Sequence, residues 1–210
     1  MPPKAAAKRN PERTKGRLLR AAIRLFSAKG YHGVSVDEIV GLARTNKRMV
    51  YHYFGSKNDI YLAALVEVFS RLSDAEIQVS EEATRPDEKL QHLLAAYFRF
   101  LDQNPEFVRL LLWENLAQGR HIGLHPELVN KNPFMDRFRA IIHEGVATGI
   151  FRAPQDIKHL LINFIALCFI YYSNHYSLAI SLRMNLDSPR NRALRLEQAT
   201  NLVFRGLMAE

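Results

Sequence analysis

The sequence predicts an all-α protein in which a compact unit of three short helices precedes a larger helical domain. Two observations carry this. Apolar residues recur at helical spacing along most of the 210 residues, and no stretch alternates apolar and polar positions for long enough to argue a sheet. Residues that start and stop helices also punctuate the chain at helix-length intervals. The composition, 48% hydrophobic and 24% charged with 10 Gly and 9 Pro, is that of a folded globular chain. At this length about 70% of the unfolded surface can be buried.

The first helix is expected from Thr14 to Lys29, with Leu18, Ala22, Leu25 and Phe26 on one face and Arg17, Arg20 and Arg24 outside. Gly30 suits a left-handed stop. "SVDE", Ser35 to Glu38, has the spacing of a capping box, so a second helix starts at Ser35 and buries Val36, Ile39, Val40 and Ala43. Arg44 and Thr45 interrupt it. Asn46 then caps a third helix running through Phe54. Gly55 ends that helix, and Ser56 caps a fourth from Lys57 to about Val79, with Asp59 in its favourable first turn. "EEATRPDEKL" reads as a linker, followed by helices near 87–102, 105–118, 126–148, 155–183 and 190–208. Asn104-Pro105, Gly119 to Gly123, Gly149 and Ser188-Pro189 supply the breaks. The domain expectation is a basic arm over 1–13, a three-helix unit over 14–60 and a helical domain over 61–210.

Charge is distributed unevenly. Residues 1–60 carry 13 lysines and arginines against 4 aspartates and glutamates, whereas the other 150 carry 16 against 17. A bias confined to one segment points to a polyanionic partner, nucleic acid before anionic membrane. On a helical wheel, "NKRMVYHYF" sorts Met49, Val50, Tyr53 and Phe54 to one side and Lys47, Arg48, Tyr51 and His52 to the other. Two short capped helices joined by a tight break, after a longer amphipathic helix, is the order of a helix-turn-helix whose second short helix enters the DNA major groove. The outward residues are chemically suited to phosphates and base edges. Lys57, a cation at a helix start, fits a phosphate placed there.

Residues 14–60 resemble the DNA-binding domain of the TetR family of bacterial transcriptional regulators, through "LLRAAIRLFSAKGYHGVSVDEIVGLA" followed by "NKRMVYHYFGSK". The resemblance implies an all-helical homodimer with a ligand-responsive C-terminal domain, acting as a repressor released from a palindromic operator by a small-molecule effector. Carried over by position, it implies DNA contacts from Asn46, Lys47, Arg48, Tyr51 and His52, a phosphate contact from Lys57 and a backbone contact from Ser35. Arg44 departs from the family, which favours glycine there, and Thr45 stands where a small apolar residue is common. Both are kept as candidate DNA contacts.

The later chain is read from its residues. Leu160 to Leu182 holds no formally charged side chain in 23 positions, long enough for a membrane span. Its asparagines, histidine and serines, and a small-residue stripe of Ala166, Ser173, Ser177 and Ser181, argue instead for a helix packed against others. This helix and the last, with Ala193, Leu196, Thr200, Val203 and Leu207 on one face, suit a four-helix interface between two subunits. Candidate effector contacts are Phe107, Leu110, Trp113, Glu114, Phe138, Asn163 and Tyr171, with Asn163 included because a buried amide needs partners.

No cofactor, metal or enzymatic activity is expected. His121 and His125 have the spacing of two metal ligands on a helix, but Gly123 and Pro126 disfavour a regular helix there. "HEGVA" lacks the second histidine of a zinc protease helix, and no phosphate-cradling glycine loop or hydrolase elbow occurs. The single cysteine, Cys168, allows no internal disulfide, and "MPPKAAAKRNPERTKGR" has no apolar core of a secretory signal. A cytoplasmic setting follows. Two rival readings share these features: a membrane-associated helical protein with a basic lipid-binding start, and a sequence-nonspecific nucleic-acid binder.

Overall fold

The computed structural model describes residues 11–77, 84–127 and 133–209. The first ten residues of the expected arm, the start of the expected linker and part of the helix expected near 126–148 lie outside them. Ten α-helices occur among the described residues: α1 (Pro11–Lys29), α2 (Val36–Ala43), α3 (Lys47–Tyr53), α4 (Lys57–Ile77), α5 (Pro86–Gln103), α6 (Pro105–Leu116), α7 (Pro133–Ala147), α8 (Ile157–Ser173), α9 (His175–Ser181) and α10 (Pro189–Leu207). No strand occurs among them. A single bridge between Phe151 and Met208 ties the C-terminus to the loop after α7. Arg152 reinforces the tie by donating to the carbonyls of Gly206 and Arg205.

The caps that start the short helices have the chemistry their residues dictate. Ser35 Oγ accepts from the Glu38 amide at 3.2 Å while Glu38 Oε2 accepts from the Ser35 amide at 2.8 Å, the reciprocal arrangement of a capping box. Asn46 accepts from the Met49 amide at 3.3 Å, and Ser56 from that of Asp59 at 3.2 Å. α1 begins at Pro11, earlier than Thr14, because proline and Glu12 both suit a first helical turn.

α1, α2 and α3 close over Leu18, Ala22, Phe26, Ile39, Val40 and Val50, all buried. α4 is the shared wall: Ile60, Ala64, Leu65 and Val68 are buried along it, and it packs on α1 as well as on α5 and α6. α5 runs through the centre of the second layer, against α7, α8 and α10. There the rings of Phe134 and Phe138 lie 5.6 and 5.3 Å from that of Phe164. The Phe151 ring occupies the space that a Cβ on Gly145 would need. Only glycine therefore lets α7 lie this close to its own following loop.

The helix expected over 155–183 is two helices. α8 ends at Ser173, Asn174 separates it from α9, and the axes differ by 76°. Neither glycine nor proline marks this break. Tertiary contacts hold it, since Tyr171 donates its hydroxyl to the Leu186 carbonyl at 2.8 Å and His175 Nε2 lies 3.4 Å from Asp187 Oδ2. Among the described residues no single helix is long and apolar enough to cross a membrane.

Candidate nucleic-acid interface

α3 is seven residues long and cannot be stable alone. Its position is fixed by Val50, which is fully buried, with Met49, Tyr53 and Phe54 packed partly into the same core. Lys47, Arg48, Tyr51 and His52 are exposed on the opposite side. Half of Tyr51 is open to solvent. Ser35 lies at the exposed start of α2, and Arg44, Thr45 and Asn46 form the turn between α2 and α3.

Arg44 adopts φ 50° and ψ 55°, the left-handed conformation that glycine favours. The arginine therefore preserves the turn that glycine would make, at a backbone cost of about 1–2 kcal/mol. Its amide and that of Thr45 satisfy the last carbonyls of α2.

Two cations on this surface are already engaged, which their sequence positions do not reveal. Lys47 Nζ donates to Asp37 Oδ2 at 3.1 Å, bridging α3 to α2, and this hydrogen bond raises the Lys47 pKa. Lys57 Nζ lies 4.4 Å from the centre of the Tyr31 ring, a cation–π placement. Partial burial there pulls its pKa below the ordinary value, against the opposing charge of Glu38. Glu38 is itself held down to about 2, first by the hydrogen bond from Lys29 and then by those from the Ser35 amide and hydroxyl. Arg48 on α3 and Arg44 in the turn before it are both exposed and form no ion pair among the described residues.

Glu114 and Trp113 connect this unit to the rest of the molecule. Glu114, 1% exposed, accepts from the Tyr61 hydroxyl at 2.7 Å and from the amides of His121 and Ile122 at 3.1 and 3.2 Å. His121 Nδ1 lies 2.9 Å from the same carboxylate. Burial alone would raise the Glu114 pKa, but these donors outweigh it and hold the carboxyl below its ordinary value. Tyr31 packs against both Tyr61 and His121. The Trp113 indole donates to the Ser27 carbonyl at 3.3 Å and covers Gly30. His121 and His125 thus diverge, the first to Glu114 and the second to Glu127.

The seven candidate effector contacts are not brought together. Phe107, Leu110 and Phe138 are buried in packed core, Trp113 serves the junction with α1 and Glu114 that with α4. Asn163 corrects the sequence reading: its amide, expected to be buried, is exposed on α8. Tyr171 borders a cavity of about 390 Å³ enclosed by α5, α6, α8, α9 and α10, together with Arg109, Tyr172, His175, Tyr176 and Arg192. The Tyr172 hydroxyl is buried there without a hydrogen-bond partner among the described residues. Sequence reasoning missed these five because the α8–α9 bend gathers them from three separate segments.

The family models that match this chain are the bacterial regulatory proteins of the tetR family, over residues 18–64, and the tetracyclin repressor-like C-terminal domain, over residues 86–203. The chain belongs to the TetR family. It is 32% identical over 197 residues to the HTH-type transcriptional repressor NicS of Pseudomonas putida, covering 93% of each chain. An HTH-type transcriptional repressor of Streptomyces coelicolor is 27% identical over 161 residues, covering 77% of this chain and 79% of that one. Among solved structures, the fatty acid degradation regulator FadR of Bacillus halodurans superimposes with a TM-score of 0.72 at 21% identity, over 94% and 96% of the two chains. FadR of Bacillus subtilis, solved with stearoyl-CoA, gives 0.71 at 18% identity, over 91% and 98%. These two likenesses concern the TetR fold.

Proposed function

We propose that the protein is a cytoplasmic, homodimeric repressor that binds a palindromic DNA operator and is released from it by a small-molecule effector. The observation that carries this reading is the exposed face of α3, where Lys47, Arg48, Tyr51 and His52 lie opposite the apolar side packed into the core. With Ser35, Arg44, Thr45, Asn46 and Lys57 around it, the surface offers cations and hydrogen-bonding groups to both phosphates and base edges. Paired in a dimer, two such helices reach successive major grooves about 34–36 Å apart. Lys47 must exchange Asp37, and Lys57 its place over Tyr31, for contacts with DNA.

The subunit contact is proposed along α8 and α10. Ile162, Ile170, Leu194 and Leu202 are 46–57% exposed on these helices, an apolar surface better covered than solvated. Of the face expected on α10, Val203 and Leu207 are buried in the monomer's own core, and the exposed apolar residues are Leu194 and Leu202, which lie outside that expected face. Light scattering is expected to give twice the 24.1 kDa chain mass. A particle of single-chain mass at working concentration contradicts the dimer.

The cavity beside Tyr172 is the proposed effector site. Its unpartnered hydroxyl gains a hydrogen bond from a ligand acceptor, and Arg109, without a carboxylate partner among the described residues, adds a cation at the rim. Occupancy can shift the spacing of the two α3 helices only if the ligand binds one dimer conformation better than the other.

Selection from a library of random duplexes tests the regulatory reading. Enrichment of an inverted repeat with half-sites about one helical turn apart is expected. Uniform recovery of all sequences favours a nonspecific binder, and recovery of the protein only with detergent favours a membrane-associated one.

A further inference from the structure

The basic surface continues beyond α3. Arg17 and Arg44 line two adjoining cavities of about 300 and 400 Å³, the first shared with Thr14, Thr45 and Asn46 and the second with Arg20 and Arg24. Among the described residues no aspartate or glutamate lines either one. Arg17 Nε is buried without a hydrogen-bond partner among the described residues, a costly condition for a group that always carries charge. Arg44 sits beside it in a backbone conformation that glycine would adopt at less cost. Retained strain and an unpaired donor at one place are informative together. An anion bound between the two guanidinium groups would pair both charges and offset the backbone cost of keeping an arginine at this turn.

We propose that Arg17 and Arg44 form a clamp for one phosphate of the DNA backbone, extending the contact surface from α3 across the turn onto α1. The occupant is DNA because the clamp borders Asn46 and Met49 at the start of α3, so a duplex lying on the reading face passes over it. Arg20 and Arg24 continue the same strip along α1. The clamp rests on the DNA-binding reading, and it adds affinity without sequence preference.

Two variants separate the clamp from the fold. Arg44→Gly removes the guanidinium and relaxes the left-handed backbone, so its melting temperature is expected to be no lower than that of the unsubstituted protein. Arg17→Met keeps an apolar stem of similar length. Each is titrated by fluorescence anisotropy against the selected operator and against a random-sequence duplex of equal length, over a series of KCl concentrations. Both variants are expected to bind both duplexes about 10-fold more weakly, and the plot of log affinity against log salt flattens by about 0.9 for each phosphate that is no longer neutralised. Folded variants that keep the original slope overturn the clamp while leaving the regulatory reading intact. A weakening confined to the selected operator assigns Arg17 and Arg44 to base reading and also overturns it. If the unsubstituted protein binds neither duplex, the clamp and the regulatory reading fall together.

Discussion

Replacing Glu114 with alanine is expected to lower the folding free energy by about 3–5 kcal/mol, since one truncation strands several buried donors at once. The carboxylate collects the Tyr61 hydroxyl from α4, the His121 ring and two amides from the turn after α6. Without it, the turn that carries His121 against Tyr31 and Tyr61 has no anchor. Tyr61→Phe removes one donor and leaves the others, so a smaller loss of about 1.5–3 kcal/mol is expected. Chemical denaturation of the three proteins measures both. The pH dependence has a defined sign. The Glu114 carboxyl titrates lower in the folded protein than its ordinary value of 4.5, so its contribution is complete above that pH and is lost as pH falls through the folded value. The stability gap between the unsubstituted protein and Glu114→Gln should therefore hold constant above pH 4.5 and close below it.

Gly30→Ala is expected to cost about 2–4 kcal/mol, by adding a left-handed backbone penalty to an overpacked contact. Gly30 has φ 69°, and an added Cβ would stand 2.8 Å from Trp113 Cδ2 and 2.9 Å from Cε3. The two costs can be separated by a double-mutant cycle. In a Trp113→Leu background the steric part is relieved, and about 1–2 kcal/mol of backbone strain should remain. Equal penalties in the two backgrounds would mean that the indole does not press on this turn. Trp113 belongs to α6, which also borders the Tyr172 cavity, whereas Gly30 closes the helix that carries Arg17. Under the proposed effector reading, a ligand that shifted α6 would act on the DNA-binding unit through this contact.

What could be read from the sequence follows the range of the interactions involved. The caps at Ser35, Asn46 and Ser56 depend on residues three positions away, and the outward set on α3 depends on helical period alone. Both were therefore legible. The left-handed turn at Arg44 was legible only as a departure from a family that prefers glycine there. Pairings between distant segments were not. Nothing near Lys47 announces Asp37, ten positions earlier on another helix, and nothing near Glu114 announces Tyr61. The bend at Asn174 lacks glycine and proline because the chain after α9 holds it, through Leu186 and Asp187. Asn163 was misplaced for a related reason. In a long apolar run a polar residue looks like a buried one, whereas α8 leaves Ile162, Asn163 and Ala166 together on its outer side.

That the outward face of α3 reads DNA is tested most directly by affinity for the selected operator. Lys47→Ala, Arg48→Ala and Tyr51→Ala should each remain folded, since these side chains are exposed. Arg139→Ala, an exposed cation on α7, serves as the control. Affinity is predicted to fall by about 10-fold or more for Arg48→Ala and Tyr51→Ala, by less for Lys47→Ala because Asp37 already occupies its ammonium, and not at all for the control. Unchanged affinity in all three α3 variants, each shown to be folded, would contradict a DNA-reading role for this face.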